Sequence, residues 1–80
     1  MLKIKDSVDL RELKKFYFGN GFTVSDNFYE EYYCWKHLYV NVQTRRIYLD
    51  EREKYEVEYD VSLCKLYDLI QAGLVDKLEE

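Results

Sequence analysis

Residues 28–50 read FYEEYYCWKHLYVNVQTRRIYLD, and the period of this stretch decides the fold. Aromatic and β-branched residues crowd it, which favours strands. LYVNV at 38–42 alternates, with Leu38, Val40 and Val42 on one face and Tyr39 and Asn41 on the other. RIYLD at 46–50 alternates again, Ile47 and Leu49 against Arg46 and Tyr48. Between them Gln43-Thr44-Arg45 reads as a polar turn without the Asn-Gly pair that marks the tightest hairpins. FYEEYYCW at 28–35 is a third strand. Alternation places Phe28, Tyr32 and Cys34 on one side and Tyr29, Tyr33 and Trp35 on the other, and leaves open which side is buried.

Working outward, FTV at 22–24 is a short edge strand, and Ser25-Asp26-Asn27 is a turn signal. KYEVEY at 54–59 alternates too, placing Tyr55, Val57 and Tyr59 opposite Lys54, Glu56 and Glu58. Together these segments predict a meander of about four antiparallel strands.

Helices flank the meander. Asp9 is a good N-cap with Glu12 three residues on, and Val8 and Leu13 suit a hydrophobic staple. Leu10, Leu13 and Tyr17 recur at helical spacing with Phe16 beside them, until Gly19-Asn20-Gly21 stops the run. A second helix, capped by Asp60 or Ser62, carries Leu63, Leu66, Tyr67 and Ile70 at i, i+3, i+4 and i+7 and ends at Gly73. LKIK at 2–5 reads as a short strand or an ordered arm, and LVDKL at 74–78 as a last short strand or a packed tail. The expected architecture is one α+β domain over residues 1–80, an antiparallel sheet with two helices packed on one face. Leu38, Val40, Val42, Ile47, Leu49 and Val57 then meet Leu10, Leu13, Leu66 and Ile70. Tyr39, Tyr48, Arg46, Glu56 and Glu58 face outward, joined by Tyr33 or Trp35.

Eighty residues allow one core and little room for a deep pocket. The 48% hydrophobic content and absence of proline argue for an ordered globule. Net charge is −4 and uneven. Residues 1–40 carry six basic and six acidic groups; residues 41–80 carry six basic and ten acidic. That balance argues against a nonspecific nucleic-acid binder. No apolar run has the length of a signal peptide or a membrane span, so a cytoplasmic chain is expected. Two cysteines are too few for a disulfide scaffold.

No catalytic motif emerges. There is no Gly-rich phosphate loop, HExxH or GxSxG. Cys34-x-x-His37 lacks the paired second motif that zinc needs, and a strand sets residues three apart on opposite faces. Neither an enzyme nor a cofactor is expected. Two binding readings remain. Stacking tyrosines beside Arg45, Arg46 and Lys36 suit single-stranded nucleic acid, but Glu30, Glu31, Glu56 and Glu58 share that surface and repel phosphate. A protein-binding face suits the residues better, because tyrosine, tryptophan and arginine anchor interfaces. DEREKYEVEYD at 50–60 holds six acids against two bases, apt for docking on a basic groove. The same charges also serve to keep an exposed strand soluble.

LKIKDSVDLRELKKFYF near the start and CKLYDLIQAGLVDKL near the end resemble small proteins from phages and prophages of low-GC Gram-positive bacteria. The resemblance implies an anti-defence context. Small acidic phage proteins are often inhibitors of host nucleases, of the anti-CRISPR or anti-restriction kind, and some imitate DNA. It assigns no functional residue, and an accessory or self-associating phage protein of structural role, with no inhibitory activity, stands beside the inhibitor as a further reading.

Overall fold

The computed structural model describes residues 2–25, 28–50 and 57–77. In chain order the elements are β1 (Leu2–Ile4), a 3₁₀ helix (Leu10–Phe16), β2 (Gly19–Ser25), β3 (Phe28–Trp35), β4 (Leu38–Asn41), β5 (Ile47–Leu49), α1 (Val57–Gln71) and β6 (Val75–Lys77). Strands β2-β3-β4-β5 form a four-stranded antiparallel meander, and β1 pairs with β6 in a separate two-stranded sheet. The two sheets touch where Lys3 bridges Arg46 and the Ile4 N–H donates to the Arg45 carbonyl. The expected α+β class and antiparallel meander are present, and both terminal strands form.

Register assigns the faces. Tyr33, Val40 and Ile47 form one cross-strand row, and Trp35, Leu38 and Leu49 form the next. Tyr33, Leu38, Val40 and Ile47 are buried with Ile4, Leu10, Leu13, Phe18 and Leu69 in a single cluster, against which Val8, Trp35, Leu49 and Leu66 pack. The opposite face carries the row Cys34, Tyr39 and Tyr48, with Tyr32 beside Asn41. The aliphatic alternation read from β4 and β5 therefore holds. The open question over residues 28–35 resolves with the side of Tyr33 and Trp35 toward the core.

Asn41 builds the β4–β5 turn that lacked an Asn-Gly signature. Its buried side-chain oxygen accepts from the backbone N–H groups of Gln43 and Thr44, both at 2.9 Å. Such an Asx turn lets a side chain stand in for backbone. Arg45 closes the turn in the left-handed region, φ 64°.

Three elements differ from expectation. The first helix is 3₁₀ and stops at Tyr17, φ 70°, before the glycines, which instead begin β2. The Phe18 N–H reaches the Leu13 carbonyl and the Tyr17 N–H the Lys14 carbonyl, the two bonds of a Schellman cap. Buried Phe18 and Leu13 supply its hydrophobic contact, so a tyrosine holds the position where glycine was expected.

The expected strand at 54–59 is the second difference. Residues 54–56, with Glu56, lie outside the described residues, and Val57, Glu58 and Tyr59 open α1. Glu58 is thus a helical residue and not part of a sheet face. Acidic groups in a first helical turn complement the N-terminal end of the helix dipole, which an alternation rule ignores. Asp60 and Ser62, expected as caps, sit inside α1.

Third, α1 is rotated about its axis. Leu69 and Ser62 are fully buried, whereas Leu63, Tyr67 and Ile70 are exposed to 41%, 60% and 43%. At ~100° per residue the buried stripe lies roughly a quarter turn from the predicted one. Ser62 is the reason: a hydroxyl interrupts the apolar pattern. Its Oγ accepts the His37 backbone N–H at 3.1 Å, which makes the burial tolerable. The helix does end as predicted. Gly73 takes φ 77°, and the N–H groups of Gly73 and Leu74 cap the carbonyls of Ile70 and Leu69.

Asp9 caps the 3₁₀ helix as read, but Glu12 does not complete a capping box and pairs instead with the Lys15 ammonium at 2.9 Å. The Asp9 carboxylate accepts from the Arg11 backbone N–H at 2.9 Å and from the guanidinium Nη2 at 2.6 Å. These bonds, the side-chain one foremost, hold its pKa down to about 2. A lowered carboxylate pKa contributes stability that is complete above the unfolded value and disappears on acidification. Thermal stability is therefore expected to fall between about pH 4, the ordinary aspartate range, and about pH 2. Asp9→Asn keeps a capping side chain and is expected to flatten that part of a melting-temperature profile. Because the pair is exposed, added salt is expected to shrink the difference.

Candidate functional site: an open tyrosine face

The sheet face away from the buried cluster is tyrosine-rich because alternation in three adjacent strands coincides. Tyr39 lies directly across from Tyr48, and Tyr32 stands diagonally from Tyr39 on β3. The Tyr32 and Tyr39 rings meet edge to face, centroids 6.3 Å apart at 82°. This T-shaped arrangement is favoured by the ring quadrupoles and fixes both rings. Together with Tyr48, Leu49 and Asp50 they line an open cleft of about 290 Å³. Tyr48 is 40% exposed at one wall. The Asp50 backbone N–H donates to the His37 carbonyl at 2.9 Å, which fixes the acidic residue at the strand end.

The cleft is lined by three tyrosine rings, a leucine and an aspartate. Ring faces and a carboxylate both attract cations, so its chemistry favours a basic group. Among the described residues, no group of three or more histidine, cysteine, aspartate or glutamate side chains is placed to hold a metal ion. Cys34 is half-buried and Cys64 exposed, both as free thiols.

The residues singled out from sequence divide. Tyr39 and Tyr48 come together as expected. Arg46, one residue before β5, falls by alternation on the same side. Tyr33 is corrected: it is buried in the core and cannot meet a partner from the tyrosine face. Trp35 also lies on the core side, half-buried, with the Lys65 ammonium 4.5 Å and the Lys36 ammonium 5.3 Å from its ring centroid. Glu58 belongs to α1, and Glu56 lies outside the described residues. Tyr32 and Asp50 were missed. Alternation had already grouped Tyr32 with Cys34, so the cross-strand register was the missing signal. Arg45, read as a phosphate contact, is committed elsewhere: its guanidinium donates to the Lys5 carbonyl at 2.8 Å and to that of Val8.

No described helix is long and apolar enough to cross a membrane. No protein-family model matches the chain, and no curated protein or solved structure matches it either.

Proposed function

We propose that this domain is a non-enzymatic protein-binding module whose tyrosine face receives a basic side chain of a partner protein. The observation that carries the reading is the cleft of Tyr32, Tyr39, Tyr48, Leu49 and Asp50. In this reading both helices pack on the sheet face opposite the tyrosines. Tyrosine gives large contact area at low entropic cost, as interface anchors do. A lysine or arginine over such rings contributes ~0.5–2 kcal/mol, more as water is excluded. The resemblance of the two chain ends to phage proteins supplies the context: an inhibitor of a host defence nuclease in the bacterial cytoplasm. Grooves that bind nucleic acid are lined with lysine and arginine, the groups this cleft suits. Occlusion is then carried by the tyrosines and Asp50 of the cleft.

A second reading is single-stranded nucleic acid stacked on the same tyrosines, with Arg46 as its phosphate contact. Asp50 at the cleft and the engagement of Arg45 with backbone carbonyls weigh against it. Calorimetric titration separates the two readings. An arginine-rich peptide is expected to bind, and oligothymidylate and an acidic peptide of equal length are not. Tyr48→Ala and Tyr39→Ala are each expected to weaken the basic peptide at least about tenfold, or about 1.4 kcal/mol. Asp50→Asn is expected to reduce the salt dependence. Oligothymidylate binding that these variants abolish, with no basic-peptide binding, would transfer the assignment to the second reading. Affinity capture from host lysate, with the Tyr48→Ala variant as control, would then identify the partner.

A further inference from the structure

Strand β2, Gly19–Ser25, lies at one edge of the meander, and its ladder partner among the described residues is β3. The other edge is partly covered, because β5 begins beside β1. The seven residues of β2, GNGFTVS, contain no charge and no proline, in a chain that is 35% charged. The register with β3 runs unbroken from Gly19–Cys34 to Ser25–Phe28, so no bulge turns the strand away. Charge, proline and bulges are the devices that stop an edge strand from accepting another strand. None is present here.

Among the described residues the surroundings are equally open. A Cβ built at Gly21 meets nothing within 4 Å, and one at Gly19 meets only the Cys34 carbonyl, at 3.9 Å. On the other side, Phe22 and Val24 are each exposed to 66% and Tyr29 to 54%. The Phe22 and Tyr29 rings lie 5.7 Å apart, so these side chains form one apolar patch along the edge.

We infer that β2 pairs with β2 of a second copy of this chain, antiparallel, about a twofold axis at Phe22. An axis there pairs Gly19 with Ser25, Asn20 with Val24 and Gly21 with Thr23, so every residue of the strand finds a partner. Two four-stranded sheets become one continuous sheet, and the two apolar patches meet across the axis. A second copy fits better than a charged strand of another protein, because β2 offers no charge to complement one. Each copy carries a net charge of −4. Their mutual repulsion is screened by salt, so the dimer tightens as ionic strength rises. This dimer is independent of the tyrosine face.

Sedimentation of the full chain from micromolar to near-millimolar concentration tests the inference. The wild type is expected to reach twice the chain mass, more readily in high salt. Phe22→Lys and Phe22→Glu are each expected to remain monomeric, with circular dichroism verifying the fold of these exposed-site variants. Their equimolar mixture is expected to recover the dimer, because opposite charges then face each other across the axis. Val24→Lys, as a second disruption, is expected to give a monomer. A wild type that stays monomeric throughout overturns the inference. So does a dimer that survives Phe22→Lys, or a mixture of the two charge variants that fails to associate.

Discussion

Leu69→Ala is expected to cost roughly 2–5 kcal/mol, whereas Ile70→Ala, one residue on, is expected to cost under about 1 kcal/mol. Leu69 is fully buried in the core cluster with Leu38, Val40 and Ile47 of the sheet, and Ile70 is 43% exposed. Removing an enclosed leucine forfeits its transfer energy and leaves a cavity that a small core closes only partly. A domain of this size has a total stability of ~4–12 kcal/mol. The first substitution therefore takes a large share of it, and its melting temperature is expected to fall by ~10 °C or more. The comparison discriminates because helical periodicity in the sequence ranks the two residues the other way. Urea unfolding of both variants reads it directly. Equal costs would show that α1 presents the Leu63–Ile70 stripe to the sheet after all.

Arg45→Ala is expected to cost roughly 2–3 kcal/mol, unusual for a residue in a polar turn. Its guanidinium ties the Lys5 and Val8 carbonyls, in the segment leading to the 3₁₀ helix, to the β4–β5 turn. Its backbone carbonyl meanwhile accepts the Ile4 N–H at 2.8 Å. The alanine variant loses the guanidinium bonds, which are charge-assisted and hence stronger than neutral ones. It also retains a side chain at φ 64°. Arg45→Gly loses the same bonds but is free of the strain at positive φ, and is expected to recover about 1 kcal/mol relative to alanine. Arg45→Lys keeps the charge without the planar fork and is expected to fall between wild type and alanine. If all three variants unfold at the wild-type urea concentration, the arginine is a surface charge and not a strut.

Arg45 and Ile70 also show where reading a sequence stops. Strand period, the Asp9 cap and the Gly73 stop are local properties of the chain, set by alternation, side-chain reach and one glycine's freedom at positive φ. The sequence by itself therefore determined the meander at 28–50, the sides of Tyr39 and Tyr48, the first helix start and the second helix end. Tyr17 took a cap position expected for glycine because Phe18 could bury against Leu13, a contact that local propensity does not count. Ser62 hid the buried stripe of α1 because its acceptor role depends on the His37 N–H, distant in sequence. Arg45 looked like a free cation until chain reversal brought the Lys5 and Val8 carbonyls to it.

The candidate site follows the same division. Alternation alone puts Tyr32, Tyr39 and Tyr48 on defined sides of their own strands. Only pairing register makes Tyr39 face Tyr48, sets Tyr32 against Tyr39 and brings Asp50 to the cleft, while turning Tyr33 and Trp35 toward the core. Alternation is a property of one strand, whereas a cleft is a property of several, and the register that joins them is fixed by turns and by what the opposite face must bury.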